Sequence, residues 1–236
     1  MHLAENTGFA TLLYMTMRLL CASITAAAAL SIPFAVSLAQ ELRIVESSPT
    51  AIENPEAYRA YYGKLDGAPE VFTITVTEPF RFSIVILTPD VQGARTDFTA
   101  NVIDMANPDT PFAVVDGTVS EWIPFFDTTG RDDYLAGPLF QAGIAAGTYE
   151  IRVSNPDNEG AYVVLLGEES SFSLGEIFNR YGALPTIKSD FFGKPAYQAF
   201  LAPLLLWPII AVLIVLAVIV FTIYLLRRRT PAAPTL

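Results

Sequence analysis

Residues 204–226 form a run of 23 consecutive residues without a charge, followed at once by Arg227, Arg228 and Arg229. As a helix rising about 1.5 Å per residue, this run is long enough to cross the ~30 Å hydrocarbon core of a bilayer. Seventeen of the 23 are Leu, Ile, Val or Phe. Each of these favours insertion by about 0.3–0.6 kcal/mol, whereas an arginine at the membrane centre opposes it by about 2.5–3.5 kcal/mol. The sequence therefore predicts a transmembrane helix over 199–226 that the arginines stop, with the tail 227–236 cytoplasmic by the positive-inside rule. Pro203 and Pro208 fall near the outer end, where a kink is tolerated. Phe191, Phe192, Tyr197, Phe200 and Trp207 suit an outer interfacial belt.

A second apolar run lies near the start. Arg18 supplies a positive n-region, residues 19–34 an apolar h-region, and Ser37-Leu38-Ala39 a small-x-small cleavage site before Gln40. This is the pattern of a secretory signal peptide, expected over 1–39 with its start at Met1, Met15 or Met17. An uncleaved signal anchor is the alternative. The two runs account for a composition that is 52% hydrophobic but only 16% charged, against roughly 25% charged in ordinary soluble domains. The single Cys and single His, Cys21 and His2, both lie within 1–39. A mature chain without them cannot build a Ser-His-Asp triad, a cysteine nucleophile, a His-ligated zinc site or a disulfide framework.

What is left, residues 40–198, carries 23 of the 24 acidic residues and ten of the 14 basic ones, a net charge of −13. Such a balance argues against nucleic acid and anionic headgroups as partners, and favours solubility. Apolar residues here recur with period two: Phe72, Ile74 and Val76 in one segment, Phe82, Ile84 and Ile86 in the next, separated by Thr77-Glu78-Pro79-Phe80. Further strands are expected at 56–65, 98–105, 112–116, 137–142, 148–154 and 161–167, punctuated by Asp116-Gly117, Ala146-Gly147 and residues 155–160. Seven to nine short strands without interleaved helices predict an all-β fold, an antiparallel β-sandwich or jelly roll, over 40–170. One helix is expected at 174–181, with Ser173 and Glu176 as its capping box and Gly182 as its stop. The remainder of 171–198, interrupted by Pro185, Gly193 and Pro195, reads as a short juxtamembrane stalk.

The segment Ala146-Gly147-Thr148-Tyr149-Glu150-Ile151-Arg152-Val153-Ser154-Asn155-Pro156, continued by Gly160-Ala161-Tyr162-Val163-Val164-Leu165, resembles the last hairpin of pre-peptidase C-terminal (PPC-like) jelly-roll modules. More widely, Ala60-Tyr61-Tyr62-Gly63-Lys64-Leu65, Thr88-Pro89-Asp90, Gly130-Arg131-Asp132, Gly137-Pro138 and residues 188–194 resemble a prokaryotic family of signal-peptide, β-sandwich ectodomain and single-helix proteins. The resemblance implies the architecture and supplies no functional residues.

Three sets of residues are candidates for a site. Asp127, Asp132 and Asp133, joined by Asp157 and Asn158 from another loop, offer the oxygen ligands that calcium takes, as some PPC-like modules do, although no EF-hand spacing is present. Trp122, flanked by Phe125 and Phe126 and near Arg131, offers an aromatic platform for a sugar ring or a peptide, or else a core residue. A pair of the same carboxylates is the minimum for a glycoside hydrolase. Phosphate-binding and nucleophile-elbow motifs are absent from the sequence. The expected protein is a type I single-pass plasma-membrane protein, extracytoplasmic, non-catalytic and without a cofactor unless calcium binds. Its ectodomain binds a glycan, a peptide or a protein. An accessory subunit of a membrane-protein complex is the alternative, and a carboxylate-dependent hydrolase a remoter one.

Overall fold

The computed structural model describes residue 18 and residues 41–128, 130–169 and 174–228. Apart from Arg18, the secretion-signal reading of 1–39 lies outside the described residues. The chain divides into a β-rich unit, Leu38–Pro203, and a second unit that contains the apolar C-terminal helix.

Among the described residues the first unit holds eleven strands: β1 (Glu41–Ile44), β2 (Thr50–Ile52), β3 (Arg59–Asp66), β4 (Glu70–Val76), β5 (Phe80–Pro89), β6 (Thr99–Asp104), β7 (Ala113–Asp116), β8 (Ile123–Asp127), β9 (Asp132–Ile144), β10 (Gly147–Ser154) and β11 (Glu159–Leu166). They form two sheets, in the orders β1-β3-β11-β5-β9-β8 and β2-β4-β10-β6-β7. The expected sandwich is thus present, with two departures. Three strands that period-two reading did not find, β1, β2 and β8, are added at sheet edges. The first two pair in parallel, β1 with β3 and β2 with β4, so each sheet is antiparallel except at one edge.

Alternation explains the core. Phe72, Ile74 and Val76 of β4, Phe82, Ile84 and Ile86 of β5, Ile151 and Val153 of β10, and Tyr162, Val164 and Leu166 of β11 all point between the sheets. Most are fully buried, each contributing about 1.5–3 kcal/mol by leaving water. Tyr162 is buried to its ring, and its hydroxyl donates to Glu70 at the rim. Desolvation raises the Glu70 carboxyl above the usual carboxylate range, against the lowering by Tyr162. Because the folded protein then holds a proton that the unfolded chain has released, this group's contribution to stability falls as pH rises from ~4 through the raised folded value. Glu70→Gln, which still accepts from Tyr162, is expected to flatten that slope. Denaturant midpoints measured between pH 4 and 8 check it.

The outer face of the six-stranded sheet is also covered. In β3 and β11 the residues that point away from the core, Ala60 and Tyr62, Val163 and Leu165, are as buried as those that point into it. Burial on both faces needs a third layer. It is supplied by α1 (Leu174–Asp190) and the turn after it, whose Leu184, Ile187, Lys188 and Phe191 are spaced three and four apart on one buried face. The helix does not stop at Gly182 but continues through Pro185: the proline costs one backbone donor, and the buried face that follows offsets it. Past Asp190 the chain turns at Gly193, whose φ of 59° suits glycine. The Lys194 N–H then returns to the Lys188 carbonyl at 2.8 Å. Residues 184–194 are therefore part of the packed unit and not an extended stalk.

A 3-10 turn over Ala196–Leu201 follows, then α2 (Pro203–Arg228). Within α2, Leu205–Tyr224 is long and apolar enough to cross a membrane.

Candidate functional site

Asp132 opens β9 opposite Asp127 of β8. It is on the outer sheet face, in register with Tyr134 two residues on, and the turn between the strands is tied by Gly130 N–H to Asp127 Oδ2 at 2.8 Å and by Arg131 N–H to the Asp127 carbonyl at 2.8 Å. The Lys188 ammonium of α1 donates to both Asp132 oxygens at 2.7 Å and to the Gly130 carbonyl at 2.6 Å. The Lys194 ammonium donates to Asp132 Oδ1 at 2.9 Å. Lys188 and Asp132 are only 2% and 1% exposed, Lys194 31%. An ion pair this deep sacrifices hydration of both charges, and only close geometry with further hydrogen bonds recovers the loss. Burial pushes the Lys188 ammonium downward in pKa, while Asp132 acts in the opposite direction.

Aromatic rings close the site. Tyr62 and Tyr134 share a buried hydroxyl–hydroxyl hydrogen bond of 2.8 Å. Burial raises both phenols well above their ordinary range, so both stay neutral at physiological pH. Phe191 meets Tyr62 edge-on at 5.3 Å and Phe192 meets Tyr134 at 5.1 Å. Lys194 lies 5.2 Å over the Phe192 ring, a favourable place for a cation.

This geometry corrects the calcium expectation. Asp132 already accepts hydrogen bonds from two ammonium groups. Asp133 follows it in the strand, so its side chain projects from the opposite face. Asp157 is held by Arg95 at 2.6 Å, an arginine that also grips Asp97 at 2.6 Å. Among the described residues no group of three or more His, Cys, Asp or Glu side chains is disposed to hold a metal ion.

Nor are Trp122 and Arg131 one platform. They flank the two ends of β8, about 16 Å apart for an extended strand of five residues. Arg131 is exposed in the tight turn with a φ of 60°. Trp122 packs against the sandwich core, its indole N–H donating to the Gly117 carbonyl at 2.9 Å. Gly117 and Gly137 make room for its ring, since a Cβ on either would lie within about 3 Å of it. Trp122→Ala is therefore expected to cost about 3 kcal/mol, the low end for such truncations because the ring is only partly buried. Urea unfolding of the variant beside wild type checks the value.

Phe125 and Phe126, expected beside a Trp122 platform, belong instead with Ile123 to an exposed sheet edge. Strand β8 is an edge strand, and Ile123, Phe125 and Phe126 on it are 62%, 46% and 51% exposed. Register places Ile123 beside Ala136 and Phe125 beside Tyr134 on the outer face, with exposed Leu139 further along β9. Phe126 and Pro124 face the other way. The edge strand of the second sheet, β7, adds exposed Val114, and Phe112 just before it packs edge-on against Phe140 of β9. The signal was a run of apolar residues, Ile-Pro-Phe-Phe, too short to alternate and holding a proline of the kind that edge strands tolerate.

No family model and no curated protein matches the chain. Among solved structures it is similar to the pre-peptidase C-terminal domain of collagenase from Bacillus anthracis, at 14% identity and a TM-score of 0.31, over 54% of this chain and 94% of that one. It is also similar to CBM35 of Abf62 from Cellvibrio japonicus, at 16% identity and 0.26, over 46% and 72% respectively. A third likeness is to a beta-glucosidase from Paenibacillus barengoltzii, at 9% identity and 0.24; the matched region is 53% of this chain and only 11% of that protein.

Proposed function

We propose that the protein is a membrane-anchored, extracytoplasmic, non-catalytic binding module with a jelly-roll-type ectodomain, held at the plasma membrane by α2 with its C-terminus in the cytoplasm. The observation that carries the binding reading is the apolar edge: three large side chains on one short edge strand, each about half exposed or more, with Leu139 on the neighbouring strand. Exposed apolar residues concentrated in this way mark interaction surfaces more often than they mark ordinary surface. An edge strand also offers backbone hydrogen bonds to an extended peptide, which favours a peptide or protein partner over a sugar. The 23-residue uncharged run and the arginines that follow it support the anchor and its orientation.

The test is cross-linking pull-down from membranes that contain the full chain. Wild type is compared with a variant carrying Ile123→Ser, Phe125→Ser and Phe126→Ser, and with one in which residues 204–226 are exchanged for an unrelated transmembrane helix. The binding-module reading expects a partner that the serine variant loses and the exchanged helix keeps. The opposite result favours an accessory subunit that assembles through its helix. Protease shaving of intact cells checks the orientation, since the proposal expects the acidic domain to be cleaved.

A further inference from the structure

We infer that Lys188 and Asp132 are the site of an intramolecular amide cross-link that fastens the segment leading to the membrane helix onto strand β9. The inference rests on the buried cluster and is independent of the binding reading. Lys188 Nζ lies 2.7 Å from each oxygen of the Asp132 carboxylate. With ordinary carboxylate bond lengths and Nζ in the carboxylate plane this puts the nitrogen about 3 Å from Cγ, a near-attack separation that becomes a near-attack arrangement when the carboxyl turns about Cβ–Cγ to present its face. Its remaining contact, the Gly130 carbonyl at 2.6 Å, limits how far Nζ can swing away.

The surroundings suit condensation better than they suit a permanent ion pair. Both groups are almost completely withdrawn from water, and the walls are the rings of Tyr62, Tyr134, Phe191 and Phe192. In such a site the charged pair bears the desolvation cost of two ions, whereas an amide bears none. Burial also favours the neutral amine of Lys188, the form that can attack a carbonyl carbon.

The step balances without any co-reactant. The Lys188 ammonium passes one proton to an Asp132 oxygen. The amine lone pair forms an Nζ–Cγ bond as negative charge gathers on Oδ1, where Lys194 donates at 2.9 Å and stabilises it. The second oxygen takes another proton from Nζ, the Cγ–O bond breaks, and one water leaves. Neither carbon nor nitrogen changes oxidation state. The Asp127 carboxylate stands across the β8–β9 pair, positioned by Gly130, and carries the proton from Nζ to the departing oxygen. After the step the positive Lys194 and the negative Asp127 remain, so the buried region is still balanced in charge.

The experiment is mass spectrometry of the full chain purified in detergent. The expected result is a protein one water lighter than its amino-acid sequence requires, and a proteolytic product in which the β9 peptide holding Asp132 is joined to the α1 peptide holding Lys188. Lys188→Arg, which keeps the positive charge but cannot form this bond, is expected to show no water deficit. Unlinked peptides at full mass from wild type overturn the inference. So does a water deficit that maps elsewhere, such as a cyclised aspartate, or one that persists in Lys188→Arg. The wild-type peptide map decides the matter even where the variant fails to fold.

Discussion

Replacing Lys188 with alanine is expected to destabilise the β-rich unit by about 3–5 kcal/mol, the loss that follows when one partner of a buried charge pair is removed. Asp132, 1% exposed, would keep only the half-exposed Lys194 as a counter-charge. The Gly130 carbonyl would lose the donor that now reaches it at 2.6 Å. Asp132→Leu combined with Lys188→Met is expected to recover most of the loss, because two apolar side chains of similar size leave no charge stranded among the rings. Equilibrium denaturation of wild type, the single variant and the double variant in one detergent measures all three. A loss below about 1 kcal/mol for Lys188→Ala would place the ammonium in water, as an ordinary surface pair. Neither variant can carry the amide, so the difference between the two variants reports the stranded charge, and any shortfall of the double variant against wild type reports a covalent tie.

The sheets were legible because their inner strands obey one rule. In β4 and β10 every second residue is apolar and buried and most of the intervening ones reach solvent, so period two marks both the strand and its core face. Strands β1 and β2 escaped because four and three residues are too few to show a period. Strand β8 escaped because an edge with both faces exposed has no reason to alternate. The third layer did leave a trace, in the near-continuous apolar runs Ala-Tyr-Tyr and Ala-Tyr-Val-Val-Leu-Leu of β3 and β11. Such runs signify burial on both faces, and they required a covering element that only the residues after 174 could provide. The helix itself was cut short on the strength of Gly182, a local stop signal that the buried face of Leu184, Ile187 and Lys188 overrides.

The site was less legible for a different reason. The acidic residues that matter were all nominated, but as a group defined by closeness in the loops. The fold sorts them by strand register and by partners far away in sequence. Asp132 and Asp133 are adjacent yet on opposite faces, while Asp132 meets a lysine 56 positions later. No spacing rule connects these two residues. A lysine among Leu, Ile and Phe at helical spacing was the available hint, since a charge on an apolar helix face needs a partner. Trp122 shows the reverse case: the sequence left it as a platform or a core residue, and Gly117 and Gly137, which vacate the volume that its ring occupies, make it a core residue.

The anchor can be tested by exceeding its insertion energy. Summed over its 17 Leu, Ile, Val and Phe residues, the segment 204–226 favours the bilayer by about 5–10 kcal/mol. Leu213 and Leu216 lie near its middle, and both are half exposed or more on α2. Changing both to arginine adds about 5–7 kcal/mol of cost and removes about 1 kcal/mol of gain, which cancels most or all of that sum. In a chain whose residues 1–39 are replaced by a reliably cleaved secretion signal, Leu213→Arg with Leu216→Arg is expected to move the protein from the carbonate-resistant membrane fraction into the soluble extracytoplasmic fraction. Leu213→Ala with Leu216→Ala should leave it in the membrane, because losing two leucines costs only about 1 kcal/mol of that sum. The exchanged signal matters, since an uncleaved segment at 1–39 would itself hold the chain and conceal the effect. If the double-arginine chain stayed carbonate-resistant under these conditions, α2 would not be what ties the β-rich unit to the membrane, and the cross-link at Lys188 would then fasten a segment that carries no anchor.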